Sequence, residues 1–278
     1  MRSSPSPSPS PGALAEEARR LQEEGRLDEA LALLEPWSEE EDAEVAYRLG
    51  CLHLRRGDLE RAEGFLRRAL GLRFEDHRSH TNLGIVLDQQ GRRDDAVRAF
   101  RRAVQLAPED PAPHLNLGAL YGEMGRHDDA VRSLSRSLEL APSFDGLFNL
   151  ALVRFRQGEL AEAERLFDGA WKMRPHHPAA PYYLGLCRSR RGLLSEAAEA
   201  FEGALGQEED LVRARFHLGK VYRRLGRGHD AVRELKRVAR ALPDDAQVHR
   251  ELGLAYDALS LKSESLKCFR RARMLDGA

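Results

Sequence analysis

Three asparagines recur along this chain at nearly constant spacing. Asn82, Asn116 and Asn149 are its only asparagines, and they are separated by 34 and 33 residues. A carboxamide offers both hydrogen-bond donors and an acceptor, so spaced amides can pair with the backbone of an extended peptide without reading its side chains. Asparagine is also a mediocre residue inside helices. Its restriction to one recurring position indicates a shared binding role, although hydrogen bonds to a neighbouring helix or to water are the alternative interpretation.

Aromatic and basic residues follow the asparagines at the same recurring positions. The rings are Phe148, Phe155, Tyr182, Tyr183, Phe216 and His217. The basic residues beside them are Arg156, Arg190, Lys220, Arg223 and Arg224. Aromatic and arginine side chains are typical of binding hot spots, so this set predicts selection of a peptide with apolar and acidic side chains. Packing between helices is the alternative, above all for Tyr183 and then for Phe155, and the arginines are alternatively solvated charges.

Residues that commonly bind metals or carry redox chemistry are scattered. The close histidine pairs, His77 with His80 and His176 with His177, have no cysteine or convincing third ligand nearby, so no zinc site is predicted. The cysteines are far apart and odd in number, which argues against a disulfide framework and favours a reducing, cytoplasmic compartment. We expect them to be buried structural thiols. They are Cys51, Cys187 and Cys268.

The elements that must position these side chains form a repeat of 34 or 33 residues. A small residue marks each unit, at Gly50, Gly84, Gly118, Ala151, Gly185, Gly219 and Gly253. A second glycine follows, at Gly57, Gly91, Gly125, Gly158, Gly192 and Gly226, and Gly25 precedes the series. An alanine comes next, at Ala30, Ala62, Ala96, Ala130, Ala163, Ala197 and Ala231. A bulky residue comes last, at Leu34, Leu66, Phe100, Leu134, Phe167, Phe201, Leu235 and Phe269.

Each recurring position has a physical reason. The first small residue lets two helices approach closely, and the second glycine ends the first helix in a left-handed conformation. An acidic residue such as Asp58 or Asp94 favours the start of the second helix. The alanine and the bulky residue share one face of that helix, and a proline such as Pro108 or Pro142 stops it. The pattern therefore predicts a helix-turn-helix unit.

Composition supports an all-α protein. Good helix formers dominate, and isoleucine occurs only once, so residues that favour strands are too scarce for a sheet. No apolar run approaches the ~18 residues of a membrane span. Residues 1–12 alternate serine and proline, which predicts a disordered tail without the apolar stretch of a secretory signal. Phosphorylation or partner binding by this tail is the alternative interpretation.

The repeat resembles the tetratricopeptide repeat family, whose unit is a helix-turn-helix of about 34 residues. The match extends over nearly all of residues 13–278 and implies an all-α, right-handed solenoid of about eight units. The first and last units are degenerate, as is expected where one face of a repeat is uncovered. The unit bounds are 11–42, 43–76, 77–110, 111–143, 144–177, 178–211, 212–245 and 246–278.

The family resemblance implies that unit positions 2, 5, 6, 9, 12 and 13 face a concave groove. Asn82, Asn116 and Asn149 all occupy position 6. Their arrangement is similar to the asparagine ladder in the repeat region of O-linked N-acetylglucosamine transferase. The resemblance therefore implies a non-enzymatic scaffold or adaptor that binds an extended peptide or a disordered segment of a partner protein. Repeats occupy nearly everything after residue 12, so no catalytic domain and no cofactor is expected.

Charge distribution leaves three other functions open. The net charge is -1 overall, which argues against general nucleic-acid binding, but it is -7 over residues 1–42 and +8 over residues 212–278. RNA binding through the basic C-terminal end is one alternative, and a substrate-docking subunit of a separate enzyme is another. The last helix carries Leu266, Phe269, Met274 and Leu275 with no capping helix after it. Self-association through this end is the third.

Overall fold

The structure, a computed structural model, describes residues 10–277, and every regular element in this range is helical. The chain divides into two compact units between Ala141 and Pro142. The helices of the first unit are α1 (Pro11–Glu23), α2 (Leu27–Leu34), α3 (Ala43–Arg56), α4 (Leu59–Leu72), α5 (His77–Gln89), α6 (Arg93–Leu106), α7 (Pro111–Glu123) and α8 (His127–Leu140). Those of the second are α9 (Phe144–Gln157), α10 (Leu160–Met173), α11 (Ala179–Arg191), α12 (Leu194–Gln207), α13 (Val212–Arg224), α14 (Gly228–Ala241), α15 (Ala246–Ala258) and α16 (Lys262–Asp276).

Each predicted repeat contains one pair of these helices, joined by a short turn. The two helices of a pair pack on each other, and within each unit successive pairs stack. The predicted all-α repeat solenoid is therefore confirmed. A short 3₁₀ turn, Glu35–Trp37, follows α2 and is the one regular element of the described residues outside the pairs.

The turn inside each pair depends on one backbone conformation. Seven residues at the predicted second-glycine position have φ between 74° and 85°, and all seven are glycine. At Gly57, for example, the backbone N–H donates to the carbonyls of His53 and Leu54, which ends α3. The last pair differs, because Ser260 takes φ 61° at the equivalent place. A side chain disfavours this left-handed conformation, so the serine carries a strain that glycine avoids.

The two helices of a pair approach closely where the first small residue lies. A Cβ built on Gly84 would be 2.5 Å from Cε1 of Phe100, and one built on Gly219 would be 2.7 Å from Cγ of Leu235. The alanines that precede the bulky residues are fully buried in all seven cases. Small and bulky residues therefore interlock as the sequence predicts.

The start of the chain differs from its prediction. Residues 1–9 lie outside the described residues, and with them most of the predicted 1–12 tail. Helix α1 already begins at Pro11, because the Ser10 hydroxyl accepts a hydrogen bond from the Ala13 N–H at 3.3 Å. Proline is compatible with the first turn of a helix, where its missing N–H has no partner to lose.

Candidate functional site

A cleft of about 440 Å3 lies in the second unit where α11, α13 and the start of α15 meet. First helices of three successive pairs therefore contribute to it. The lining residues are Tyr182, Val212, Arg213, Phe216, His217, Lys220, Leu242, Asp245, Gln247 and Val248.

Aromatic rings form one wall of the cleft. Tyr182 and Phe216 are half-buried, and His217 lies between them, with ring centroids 6.0 Å and 5.7 Å away. The His217 imidazole also stacks on the buried ring of Phe201. Burial lowers the pKa of His217 to about 4, and the positive charges of Lys220 and Arg190 act in the same direction. The imidazole is therefore neutral near pH 7, and the positive charge of the cleft comes from arginine and lysine.

Two cations border the aromatic wall. The Arg213 side chain is exposed and makes no hydrogen bond or ion pair within residues 10–277. Lys220 Nζ lies 5.3 Å from the centroid of the Phe216 ring and 3.6 Å from a carboxylate oxygen of Glu251. Asp245 also lines the cleft, but its carboxylate accepts hydrogen bonds from the first N–H groups of α15. The arrangement leaves Arg213 available to a carboxylate from outside.

The structure brings together some of the predicted basic residues but not others. Lys220 lines the cleft, whereas Arg223 does not, and the Arg223 guanidinium is 3.1 Å from the same Glu251 carboxylate that Lys220 approaches. Arg190 lies instead over the ring of Phe155, at 4.2 Å from its centroid. Arg224 donates to the carbonyl oxygen of Ser189 at 3.2 Å. Neither Arg190 nor Arg224 lines the cleft.

The predicted rings of α9 have a different setting. Phe148 is half-buried and packs on Phe144, Phe167 and Tyr183, with centroid distances of 5.5, 5.5 and 5.7 Å. Tyr183 stacks on Phe167 at 5.3 Å. These rings join the hydrophobic packing between helices, as was expected for Tyr183. Arg156, at the end of the same helix, is exposed.

The three asparagines are half-buried, and their amides have different surroundings. The Asn82 amide nitrogen donates to the Tyr47 hydroxyl and to the Cys51 sulfur, each at 3.2 Å. This is the contact with a neighbouring helix that the alternative interpretation anticipates. The side chains of Asn116 and Asn149 make no hydrogen bond to any residue in the 10–277 range. The amides of α7 and α9 therefore remain available to a ligand.

Sequence reasoning missed six residues of the cleft lining, which are Val212, Arg213, Leu242, Asp245, Gln247 and Val248. Arg213 and Gln247 occupy unit position 2, which the family resemblance assigns to the groove, so a systematic reading of that position would have found them. Val212, Leu242, Asp245 and Val248 lie outside the groove positions, in the connection from α14 to α15 or near the starts of α13 and α15. No repeat-position rule identifies them.

The cysteines and histidines form no competing site. Cys51 and Cys187 are buried, and burial raises the pKa of both thiols, to about 12 for Cys187. Cys268 is partly exposed on α16. In the part of the chain that the structure describes, no three His, Cys, Asp or Glu side chains converge as metal ligands. Over the same residues, no helix is both long and apolar enough to cross a bilayer.

These stacked pairs and their interlocking residues define a helical-repeat protein. Family models described as tetratricopeptide repeat match residues 11–36, 41–109, 89–148, 148–210 and 190–252. The chain belongs to the tetratricopeptide repeat family. Folds of this family generally serve as non-catalytic scaffolds for protein–protein interaction, because stacked repeats create extended binding surfaces.

Solved structures with the same fold share little sequence with this chain. YrrB, a tetratricopeptide repeat protein with an unusual peptide-binding site, has 22% identity and a TM-score of 0.55, covering 68% of this chain and 95% of its own. Pseudomonas aeruginosa PilF has 19% identity and a TM-score of 0.66, covering 72% and 92%. The Cut9–Hcn1 assembly of the APC/C has 15% identity and a TM-score of 0.60, covering 95% and 52%. Among curated protein sequences, none matches significantly.

Proposed function

We propose that this chain is a non-enzymatic cytoplasmic adaptor that binds an extended segment of a partner protein at the cleft of α11, α13 and α15. The segment carries an acidic side chain next to an apolar one. The observation that carries this proposal is the exposed guanidinium of Arg213, which has no ion-pair partner within residues 10–277 and borders an aromatic wall.

Two contributions to binding follow from the lining of the cleft. An apolar side chain that fills the space beside Tyr182 and Phe216 contributes about 1.5–3 kcal/mol when it is fully buried. A carboxylate that reaches Arg213 makes charge-assisted hydrogen bonds worth about 1.5–3 kcal/mol each. The aromatic wall excludes water from one side of that contact, which strengthens it. Acidic and apolar residues placed together are therefore favoured over basic ones.

The asparagines supply contacts to a ligand backbone in this proposal. Asn149, in the same unit as the cleft, and Asn116, in the first unit, each offer an amide that no described residue engages and that can pair with a peptide group of a ligand bound to that unit. Asn82 contributes less, because its amide nitrogen already donates to Tyr47 and Cys51. The peptide-binding site of YrrB shows that this fold supports such a function in one structural neighbour.

Selection from a random peptide library tests the proposal. The library is presented to the wild-type chain, and the enriched peptides are then measured against Arg213→Glu and Lys220→Glu. The matched control is Arg240→Glu, which makes the same charge change on the exposed side of α14 in the same unit. We expect acidic and apolar residues to be enriched, and the Arg213 variant to bind about tenfold or more weakly, equivalent to ~1.4 kcal/mol.

Two outcomes contradict the proposal. One is a selection that enriches no acidic peptide, and the other is equal binding by the Arg213→Glu and Arg240→Glu variants. The asparagines are tested on the same peptides by the single changes Asn82→Ala, Asn116→Ala and Asn149→Ala. We expect the Asn82 change to have the smallest effect on affinity. Unchanged affinity in the triple variant, with helical content retained, removes the backbone contacts from the proposal.

A further inference from the structure

The outer face of α16 exposes an apolar side chain at a position that several other pairs bury. Leu266 is 55% exposed. Leu266 occupies the same repeat position as Val97, Ala198 and Val232, which are 6%, 4% and 9% exposed. The position of Leu266 is therefore buried in these pairs, and it is partly buried at Glu63, Val131 and Glu164.

The helix that covers this position is the first helix of the next pair. Within the second unit, α10 packs on α11, α12 on α13, and α14 on α15. Leu252 and Tyr256 of α15 lie in the same buried cluster as Val232 and Leu235 of α14. No helix among the described residues follows α16. The face of α16 that is equivalent to these packed faces is therefore uncovered among the described residues.

Basic side chains surround the exposed leucine. Lys267, Arg270 and Arg273 are exposed, and none of them forms an ion pair within residues 10–277. Other arginines of this last pair form ion pairs. The Arg271 guanidinium lies 2.7 Å from the Asp244 carboxylate, and the Arg250 guanidinium lies 3.1 Å from the Asp276 carboxylate. The unmatched cations favour an occupant with carboxylates beside its apolar face.

A second copy of this chain carries the carboxylates on α1 but lacks the apolar stripe. In a head-to-tail arrangement α1 would cover α16, but α1 has Glu17 and Arg20 where α15 has Leu252 and Ala255. These two residues form an ion pair at 2.6 Å, and covering an ion pair with apolar surface carries a desolvation penalty. Two α16 helices facing each other would bring like charges together. Both modes of self-association are therefore disfavoured.

We propose that the outer face of α16 binds an amphipathic helix of another protein. Its apolar stripe covers Leu266, and its carboxylates approach Lys267, Arg270 and Arg273. This surface is separate from the cleft of α11, α13 and α15, so the two proposals succeed or fail independently.

The test uses two synthetic helical peptides of about 20 residues, long enough to hold a helix in water. Both carry the covering residues of α15 on one face, Val248, Leu252, Ala255 and Tyr256. One peptide has glutamate at the positions beside this face, and the other has lysine there. Fluorescence anisotropy measures the binding of each labelled peptide to the full chain. We expect the glutamate peptide to bind at least about tenfold more tightly than the lysine peptide.

Variants of exposed residues identify the surface without disturbing the core. Leu266→Ser is expected to weaken binding of the glutamate peptide about tenfold. The matched control is Leu72→Ser, which removes a leucine that is 42% exposed at the end of α4 and should change nothing. The combined change Lys267→Glu, Arg270→Glu and Arg273→Glu should reverse the preference, so that the lysine peptide binds better. Arg213→Glu should leave this binding unchanged.

Three results overturn the proposal. If the glutamate and lysine peptides bind equally, the cations of α16 do not select carboxylates. If the wild type and Leu266→Ser bind the glutamate peptide equally, Leu266 is not part of the binding surface. Sedimentation that reveals a dimer of the wild type, abolished by Leu266→Ser, assigns the surface to a second copy instead.

Discussion

In the second unit, a carboxylate oxygen of Glu251 on α15 lies 3.1 Å from a guanidinium nitrogen of Arg223 on α13. The other carboxylate oxygen is 3.6 Å from Lys220 Nζ, and the Glu251 side chain is only 13% exposed. One internal carboxylate thus matches two of the cations that were predicted to contact a ligand. An acidic ligand at the edge of the cleft must therefore compete with Glu251.

Replacing Glu251 with glutamine should strengthen the binding of acidic peptides. The change leaves Lys220 and Arg223 without their carboxylate while it keeps the side chain's size, so we expect affinity to rise about threefold to tenfold at low salt. The gain should shrink as salt is added, because screening weakens the contacts of exposed charges. Titrations at several salt concentrations, with peptides selected on the wild type, measure the effect.

The control for this change is Glu264→Gln on α16, which alters the net charge equally and touches neither Lys220 nor Arg223. An increase in affinity in both variants would mean that only the overall charge matters. A decrease in the Glu251 variant alone would mean that this carboxylate orients the two cations for the ligand. Either result contradicts the competition that we predict.

The repeat register could be predicted from the sequence, whereas the surroundings of each side chain could not. Spacing identified the helix pairs, the seven left-handed glycines and the interlocking small residues, because these depend on contacts inside one pair. Phe148 and Phe216 share unit position 5, yet Phe148 packs among rings while Phe216 borders an open cleft. The difference arises from neighbouring residues such as Phe144, which only the packed structure places beside Phe148.

The same limit applies to the asparagines. Position 6 was recognised for all three, but Asn82 alone lies beside a tyrosine hydroxyl and a thiol that accept its hydrogen bonds. Those acceptors belong to the preceding pair, so the sequence of one repeat does not reveal them. A binding position in a repeat is thus predictable, while its availability depends on the neighbouring unit.

Close approach inside a helix pair predicts opposite effects for two glycine-to-alanine changes. A Cβ at Gly84 would lie 2.5 Å from the buried Phe100 ring, so Gly84→Ala forces this pair apart and should destabilise the protein by about 1–3 kcal/mol. Gly64 lies inside α4 with no atom within 4 Å of an added Cβ. Gly64→Ala should stabilise by up to about 1 kcal/mol, because alanine favours helix. Thermal and urea unfolding measure both; equal effects would contradict the close-contact argument.

The left-handed serine of the last pair predicts a stabilising change. Ser260 has φ 61° at a position that is glycine in seven other turns. Ser260→Gly removes the steric cost of a side chain in this conformation, so the free energy of unfolding should rise by about 0.5–1 kcal/mol. The reciprocal change, Gly226→Ser, should lower it by a similar amount. Calorimetry on both variants measures whether the free energy of unfolding rises for Ser260→Gly and falls for Gly226→Ser. A loss of stability in Ser260→Gly would refute the prediction.

Burial of His217 predicts that stability falls in mildly acidic solution. Its pKa is about 4 in the folded protein, chiefly because the ring is desolvated, compared with 6.5 for the unperturbed group. Above pH 6.5 the imidazole is neutral in both states and adds no pH dependence. Between pH 6.5 and 4 the unfolded chain binds a proton that the folded protein does not, so stability decreases as pH falls, by up to about 3 kcal/mol.

The His217→Gln variant lacks this contribution and should lose less stability between pH 7 and pH 4 than the wild type. Urea unfolding at a series of pH values measures the difference, and NMR titration of the His217 ring should give a midpoint near 4. Parallel stability curves for the two proteins, or a midpoint near 6.5, would show that the ring is hydrated in solution.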